Sequence, residues 1–253
     1  MNRILIILAT TLLLHACSSN NQEQQENFNN GNYAYSEKNY ATAIDRYEAI
    51  VQLGSEAFEM YYNLGNAYFR KGDYPRAILN YERAARFNPH DEDNINNLAL
   101  ANSKIQDRFE VMPEIKAVTL WKKFSYLFNS AAWAFITVGF LALLLVSLFF
   151  YVMYPSYTIK KTSFYTGIVF LFCMSLSLTA TFSAYGRETE KSAIVMAFST
   201  NLLSEPESSS TAKTIIHAGS KLLLMDKIGS YYKVQLPNGE KGWVATSDIA
   251  PIL

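Results

Sequence analysis

Charge is missing from two long stretches of this chain: no Asp, Glu, Lys or Arg occurs in residues 124–159 or 162–186. Charged residues make up 17 % of the chain, against about 25 % in a soluble globular domain, and these gaps hold the shortfall. An evenly charged, wholly soluble globule is thereby excluded. Net charge is absent too, because 22 Lys and Arg balance 22 Asp and Glu. With no basic stripe to neutralise phosphates, nucleic acid is not an expected partner. Cysteine is scarce: Cys17 closes an N-terminal apolar run and Cys173 lies in an uncharged stretch, so no disulfide framework is expected. The histidines His15, His90 and His217 lack ligand spacing, which leaves no expected metal site or cofactor. No cysteine or other nucleophile pairs with a base, so an enzyme is not expected either.

What is present begins with an export signal. Arg3 supplies a positive charge, and residues 4–14 form an apolar core too short to cross about 30 Å of hydrocarbon but right for a signal peptide. The run ends in Leu14-His15-Ala16-Cys17, which resembles the lipobox of bacterial lipoproteins. That resemblance implies a signal peptide of residues 1–16, with Cys17 lipidated as the first mature residue. Ordinary cleavage or a retained anchor, with Cys17 incidental, is the alternative. The polar stretch 18–26 would form a tether.

Residues 24–108 repeat with a period of 34. Gly31-Asn32 aligns with Gly65-Asn66, Asn39-Tyr40 with Asp73-Tyr74, Ala43-Ile44 with Ala77-Ile78, and Tyr47-Glu48 with Tyr81-Glu82. This period is that of the tetratricopeptide repeat, a helix–turn–helix unit. The second copy carries most of the pattern, with Tyr61, Leu64, Gly65, Tyr68, Gly72, Tyr74, Ala77, Tyr81, Ala84 and Pro89. Small residues suit close helix crossing, tyrosines fill the space around them, and Pro89 stops the second helix. A third copy starts at Ile95, Leu98 and Ala99 and fades after Ile105, so its first helix would serve as a cap. Two and a half repeats lie near the lower limit for a stable array, and a neighbouring surface would help complete this one.

The resemblance implies a protein or peptide on the concave face. By register that face carries Phe28, Asn32, Tyr35, Tyr62, Asn66, Phe69 and Asn96, with Asn29, Asn63 and Asn97 recurring beside them. Amides would bond an extended backbone and aromatics would grip side chains. The other reading has the asparagines solvated and the aromatics packed within the array. The basic positions of a carboxylate clamp are absent.

Residues 131–154 and 164–185 are uncharged and 22 to 24 residues long, enough for two membrane-spanning helices. Residues 109–130 form a linker or interfacial segment before them. Trp121, Phe124, Tyr126 and Trp133 mark one edge and Tyr151, Tyr154 and Tyr157 the other, as in an interfacial aromatic belt. Lys160 and Lys161 are expected in the connecting loop, and Ser175, Ser177, Thr179 and Ala180 at the helix–helix contact. Five basic residues (Lys116, Lys122, Lys123, Arg187, Lys191) flank the outer ends against two in the loop. A bare positive-inside count therefore opposes an exported repeat domain. The export signal outweighs it, because early segments usually set orientation and long domains translocate largely regardless of charge. Neither span holds a charged or histidine side chain, so transport is not expected.

Residues 192–253 read as β-structure, with runs at 193–198, 221–226, 231–236 and 241–245, and Asn238-Gly239 as a type I′ hairpin signal. Asn201 to Pro206, Gly229 to Val234 and Gly242-Trp243-Val244 resemble the bacterial SH3-like family, which implies an all-β barrel. Bacterial relatives bind cell-wall peptide or act as spacers. Tyr231, Tyr232 and Trp243 would line an aromatic groove or close the barrel core.

The order of export signal, helical repeats, two spans and SH3-like domain resembles the BatE type of Bacteroides aerotolerance protein. That resemblance implies a periplasm-facing adaptor in an inner-membrane Bat complex, with von Willebrand factor A-domain proteins as partners and a link to aerotolerance or stress. The alternative function is peptidoglycan binding or sensing through the SH3-like domain.

Overall fold

The computed structural model describes residues 21–109 and 115–252; the expected signal segment and Cys17 lie outside them. Two compact units result. One joins the chain before residue 112 to the chain from Lys191 onward, and the other is Met112–Glu190.

The first unit opens with helices α1 (described over 21–36), α2 (Tyr40–Gln52), α3 (Phe58–Lys71), α4 (Tyr74–Phe87) and α5 (Glu92–Asn102). Capping sets where the second helix of each repeat starts: Asn39 and Asp73 accept hydrogen bonds from the N–H of Thr42 and Arg76, satisfying orphan donors of the first turn. The turns before them need a left-handed residue. Gly72 supplies it at φ 85°, whereas the first copy uses Lys38 at φ 60°. Gly31 and Gly65 allow close crossing, since an added Cβ would lie 2.6 Å from the Tyr47 ring or 2.7 Å from the Tyr81 ring. Ala43, Tyr47, Tyr61, Leu64, Ala77 and Tyr81 form the core between the helices.

The same unit ends in strands β1 (Ser192–Val195), β2 (Ser199–Leu203), β3 (Ala212–His217), β4 (Lys221–Ile228), β5 (Tyr231–Gln235), β6 (Lys241–Ala245) and β7 (Ile249–Pro251). They form one antiparallel sheet in the order β3-β2-β6-β5-β4-β1-β7. The pairing is open: β3 and β7 are its edges, so the closed ring expected of a barrel is not formed by hydrogen bonds. Val195, Leu202, Ile216, Leu222, Val234 and Val244 fill its core. The β5–β6 connection differs from the expected type I′ turn. Gly239 has φ 88°, but Asn238 is not in the positive region. The turn instead starts at Leu236, whose carbonyl accepts from Gly239 N–H at 2.9 Å. Pro237, with its fixed negative φ, occupies the first central position, giving a type I turn followed by a left-handed glycine.

Repeats and sheet share one core. All four residues of β1 are buried, because alternate side chains serve different neighbours. Ala193 and Val195 face the sheet's core, while Ile194 joins the repeat core together with Ile252. Arg83 and Arg86 of α4 donate to the carbonyls of Pro251 (3.2 Å) and Ile252 (2.9 Å). Lys221 of β4 lies 2.7 Å from the Glu82 carboxylate. Beyond α5 the chain stays docked: Ile105 packs against Gly219, and Phe109 against the sheet's core. The neighbouring surface that the short array needs is thus supplied by β1 and β7 of the same chain.

Asp107 fastens this junction. Its Oδ2 accepts from His217 N–H and Ser220 Oγ, each at 2.7 Å, and Oδ1 lies 2.6 Å from His217 Nδ1. Burial alone would raise this carboxyl, but the hydrogen bonds from His217 and Ser220 outweigh it and hold the group below its ordinary value.

The second unit contains α6 (Lys116–Ser125), α7 (Ser130–Met153) and α8 (Tyr157–Thr189). Both α7 and α8 are long and apolar enough to cross a membrane. They form a hairpin turned at residues 154–156, and most of their large apolar side chains are exposed. Facing hydroxyls link them: Thr137 Oγ1 donates to Ser177 Oγ at 3.0 Å, and Ser147 Oγ lies 3.0 Å from Thr166 Oγ1. Of the four residues expected at the contact, Ser177 and Ala180 are buried there. Ser175 and Thr179 are exposed and bond back to carbonyls one turn earlier. Lys160 and Lys161 sit in the first turns of α8 rather than in a loop. Charge loss marks where hydrocarbon would begin, whereas the helix starts earlier.

Candidate functional site

The concave-face residues assemble into a ladder built from the 34-residue period. Asn32 Oδ1 accepts from Tyr47 OH at 2.7 Å and from Asn63 Nδ2 at 3.2 Å. One period later, Asn66 Oδ1 accepts from Tyr81 OH at 2.8 Å and Asn97 Nδ2 at 3.0 Å. Asn97 Nδ2 also donates to Tyr62 OH at 3.1 Å. Each tyrosine comes from the second helix of its own repeat, and each donor asparagine from the first helix of the next. The ladder therefore ties α1 to α3 and α3 to α5. Gly31 and Gly65, each one residue before the accepting asparagine, make room for the ring that reaches it.

The aromatics repeat in the same way. Phe28 meets Tyr47 at 6.1 Å between ring centroids and Tyr62 meets Tyr81 at 6.2 Å. Tyr35 meets Tyr40 edge-on at 5.4 Å and Phe69 meets Tyr74 edge-on at 5.5 Å. All four first-helix aromatics thus pack on second-helix tyrosines while staying partly exposed. Asn96 is exposed on α5. Burial, with the nearby Tyr35 phenol, pushes the Tyr47 hydroxyl up to about 12. Burial likewise raises Tyr81, followed by Tyr62 and Tyr35. Both stay neutral donors at ordinary pH, which keeps both rungs intact.

Residues 28–92 match the tetratricopeptide repeat. No curated protein matches the chain. Repeats of this kind are protein-interaction scaffolds, and the present geometry suits that work. With each acceptor oxygen of Asn32 and Asn66 occupied twice, the amide is locked and its N–H groups remain for an incoming carbonyl. Arg70, outside the register-derived face, lies near Tyr35, whose phenol raises the guanidinium's already high value. Its trace in the sequence is Lys104, one period on.

Tyr231, Tyr232 and Trp243 are not brought to one surface. Tyr231 and Tyr232 are adjacent on β5 and point to opposite faces. Tyr232 packs on the sheet's core. Trp243, paired across from Lys233, shares the Tyr231 face and is 9 % exposed. Beside Tyr231 lies an open cleft of about 610 Å³, lined also by Lys227, Ser230, Thr246 and Ser247. Among the described residues no three His, Cys, Asp or Glu side chains gather to hold a metal ion.

Proposed function

We propose that this chain is a membrane-anchored adaptor, with the repeat ladder recruiting an extended protein segment and the α7–α8 hairpin fixing it to a bilayer. The observation that carries the reading is the shared core of the repeat array and the C-terminal sheet. Two spans lie between these parts in sequence, and an even number of crossings is what allows both to meet on one side. The export signal favours the periplasmic side of an inner membrane, with Cys17 lipidated. An SH3-like assignment for the sheet rests on the motifs at 201–206, 229–234 and 242–244, and membership of a Bat-type complex linked to aerotolerance and containing von Willebrand factor A-domain proteins rests on the order of parts in the sequence. Phe28, Asn32, Tyr35, Tyr62, Asn63, Asn66, Phe69, Asn96 and Asn97 would contact the partner. Affinity capture from detergent-solubilised membranes tests this. The full chain should retain a protein partner that an Asn32→Ala/Asn66→Ala variant loses while remaining in the membrane. Equal recovery by both would refute the ladder as the contact.

A second reading, wall-peptide binding by the sheet, is favoured by the cleft beside Tyr231. Saturable binding of peptidoglycan fragments by the full chain, lost on Tyr231→Ala, would support it.

A further inference from the structure

Helix α6 is held firmly against the hairpin on one side and left open on the other. Trp133 Nε1 donates to the Ser125 carbonyl at 3.1 Å. Phe124 meets Trp133 at a tilt and Phe128 meets it edge-on, at 5.0 and 5.4 Å between ring centroids. Trp121 and Phe124 pack with Trp133 on Ala180 and Ala184 of α8. Ala184 is five residues from the end of α8 at Thr189 and three from Arg187, where the charge-free stretch stops, so α6 packs at that end of the span. The free side combines two chemistries. Leu120 on the helix and Leu127, two residues past its end, are 68 % and 63 % exposed. Lys116 and Lys123, seven residues apart and so on one stripe of the helix, are exposed beside them. No Asp or Glu occurs from Ile115 to Arg187, an interval bounded by Glu114 and Glu188.

We propose that α6 is an interfacial helix whose Lys116 and Lys123 bind the phosphate headgroups of anionic phospholipids, with Leu120 and Leu127 immersed in the acyl boundary alongside. This rests on the membrane reading above and adds a ligand class to it. Lysines and leucine share one exposed stripe at the end of the span, which suits a helix at the interface whose long lysine stems reach to the headgroups while the leucines stay in the acyl boundary. A lysine near an anionic leaflet contributes an attraction corresponding to about fivefold in affinity, screened by salt. The proposal also accounts for the adverse positive-inside count, because two of the five outer basic residues then serve lipid contact.

The test uses the full chain in phosphatidylcholine bilayers doped with spin-labelled phosphatidylglycerol or spin-labelled phosphatidylcholine. The immobilised fraction should favour phosphatidylglycerol by about fivefold or more at low salt. That preference should collapse toward unity in Lys116→Gln/Lys123→Gln and in 1 M salt, while Lys160→Gln/Lys161→Gln keeps it. Equal preference in wild type and the Lys116/Lys123 variant overturns the proposal. No immobilised lipid of either kind would instead overturn the membrane reading beneath it.

Discussion

At the level of single residues, the two repeat copies form an internal comparison. Lys38 and Gly72 hold the same left-handed turn position, yet only the glycine adopts it without steric cost. Lys38→Gly should therefore stabilise the fold by about 1 kcal/mol, read as a higher thermal midpoint. The tyrosine rungs make a pH prediction. Tyr47 titrates near 10 when unfolded and is raised to about 12 in the folded chain, so its neutral form is favoured by folding. Its contribution is complete below pH 10 and declines as pH rises toward 12. Absorbance at 295 nm should show late-titrating tyrosine, and Tyr47→Phe should flatten the alkaline loss of stability over that window. The positions of Asn32, Asn63, Asn66 and Asn97 were legible in the sequence through the 34-residue period. Their partners were not: a bond from Tyr47 to Asn32 depends on helix crossing, which periodicity does not encode.

Elements were legible where a pattern runs long. Helices α2 to α5 and α7 follow from period, caps and apolar length. Strands β2, β3 and β7 did not stand out. Ser199, Thr200 and Asn201 are turn-prone types, Ile215-Ile216 breaks alternation, and Pro251 argues against a strand except at an edge, where β7 lies. The segment after α5 reads as a fading repeat, yet Asp107 makes it the fastening between helices and sheet. Asp107→Ala would leave His217 N–H and Ser220 Oγ without their acceptor, costing about 1–3 kcal/mol. Hydrogen–deuterium exchange should rise in residues 217–220 more than in α3. Because the folded carboxyl lies below its ordinary value of 3.8, its contribution is present above that pH and lost as pH falls through the lower folded value. Thermal melts should show the wild-type advantage over Asp107→Ala shrinking below about pH 4.

Across the whole chain, local pattern gave the parts and their order but not their union. The bonds from Arg83 and Arg86 to Pro251 and Ile252 span 168 and 166 residues, and contacts that distant leave no periodic trace. They bear directly on the central claim, that the hairpin of α7 and α8 leaves and rejoins a single folded body. The decisive measurement is labelling of single cysteines in intact cells by a membrane-impermeant maleimide, read against the unsubstituted chain to account for Cys17 and Cys173. Tyr33, Tyr157 and Phe198 are 69 %, 78 % and 86 % exposed and suit substitution in the repeats, at the hairpin turn and in the sheet. Labelling of Tyr33→Cys and Phe198→Cys, with Tyr157→Cys protected until cells are lysed, is the predicted result; labelling of only one of Tyr33→Cys and Phe198→Cys would contradict it.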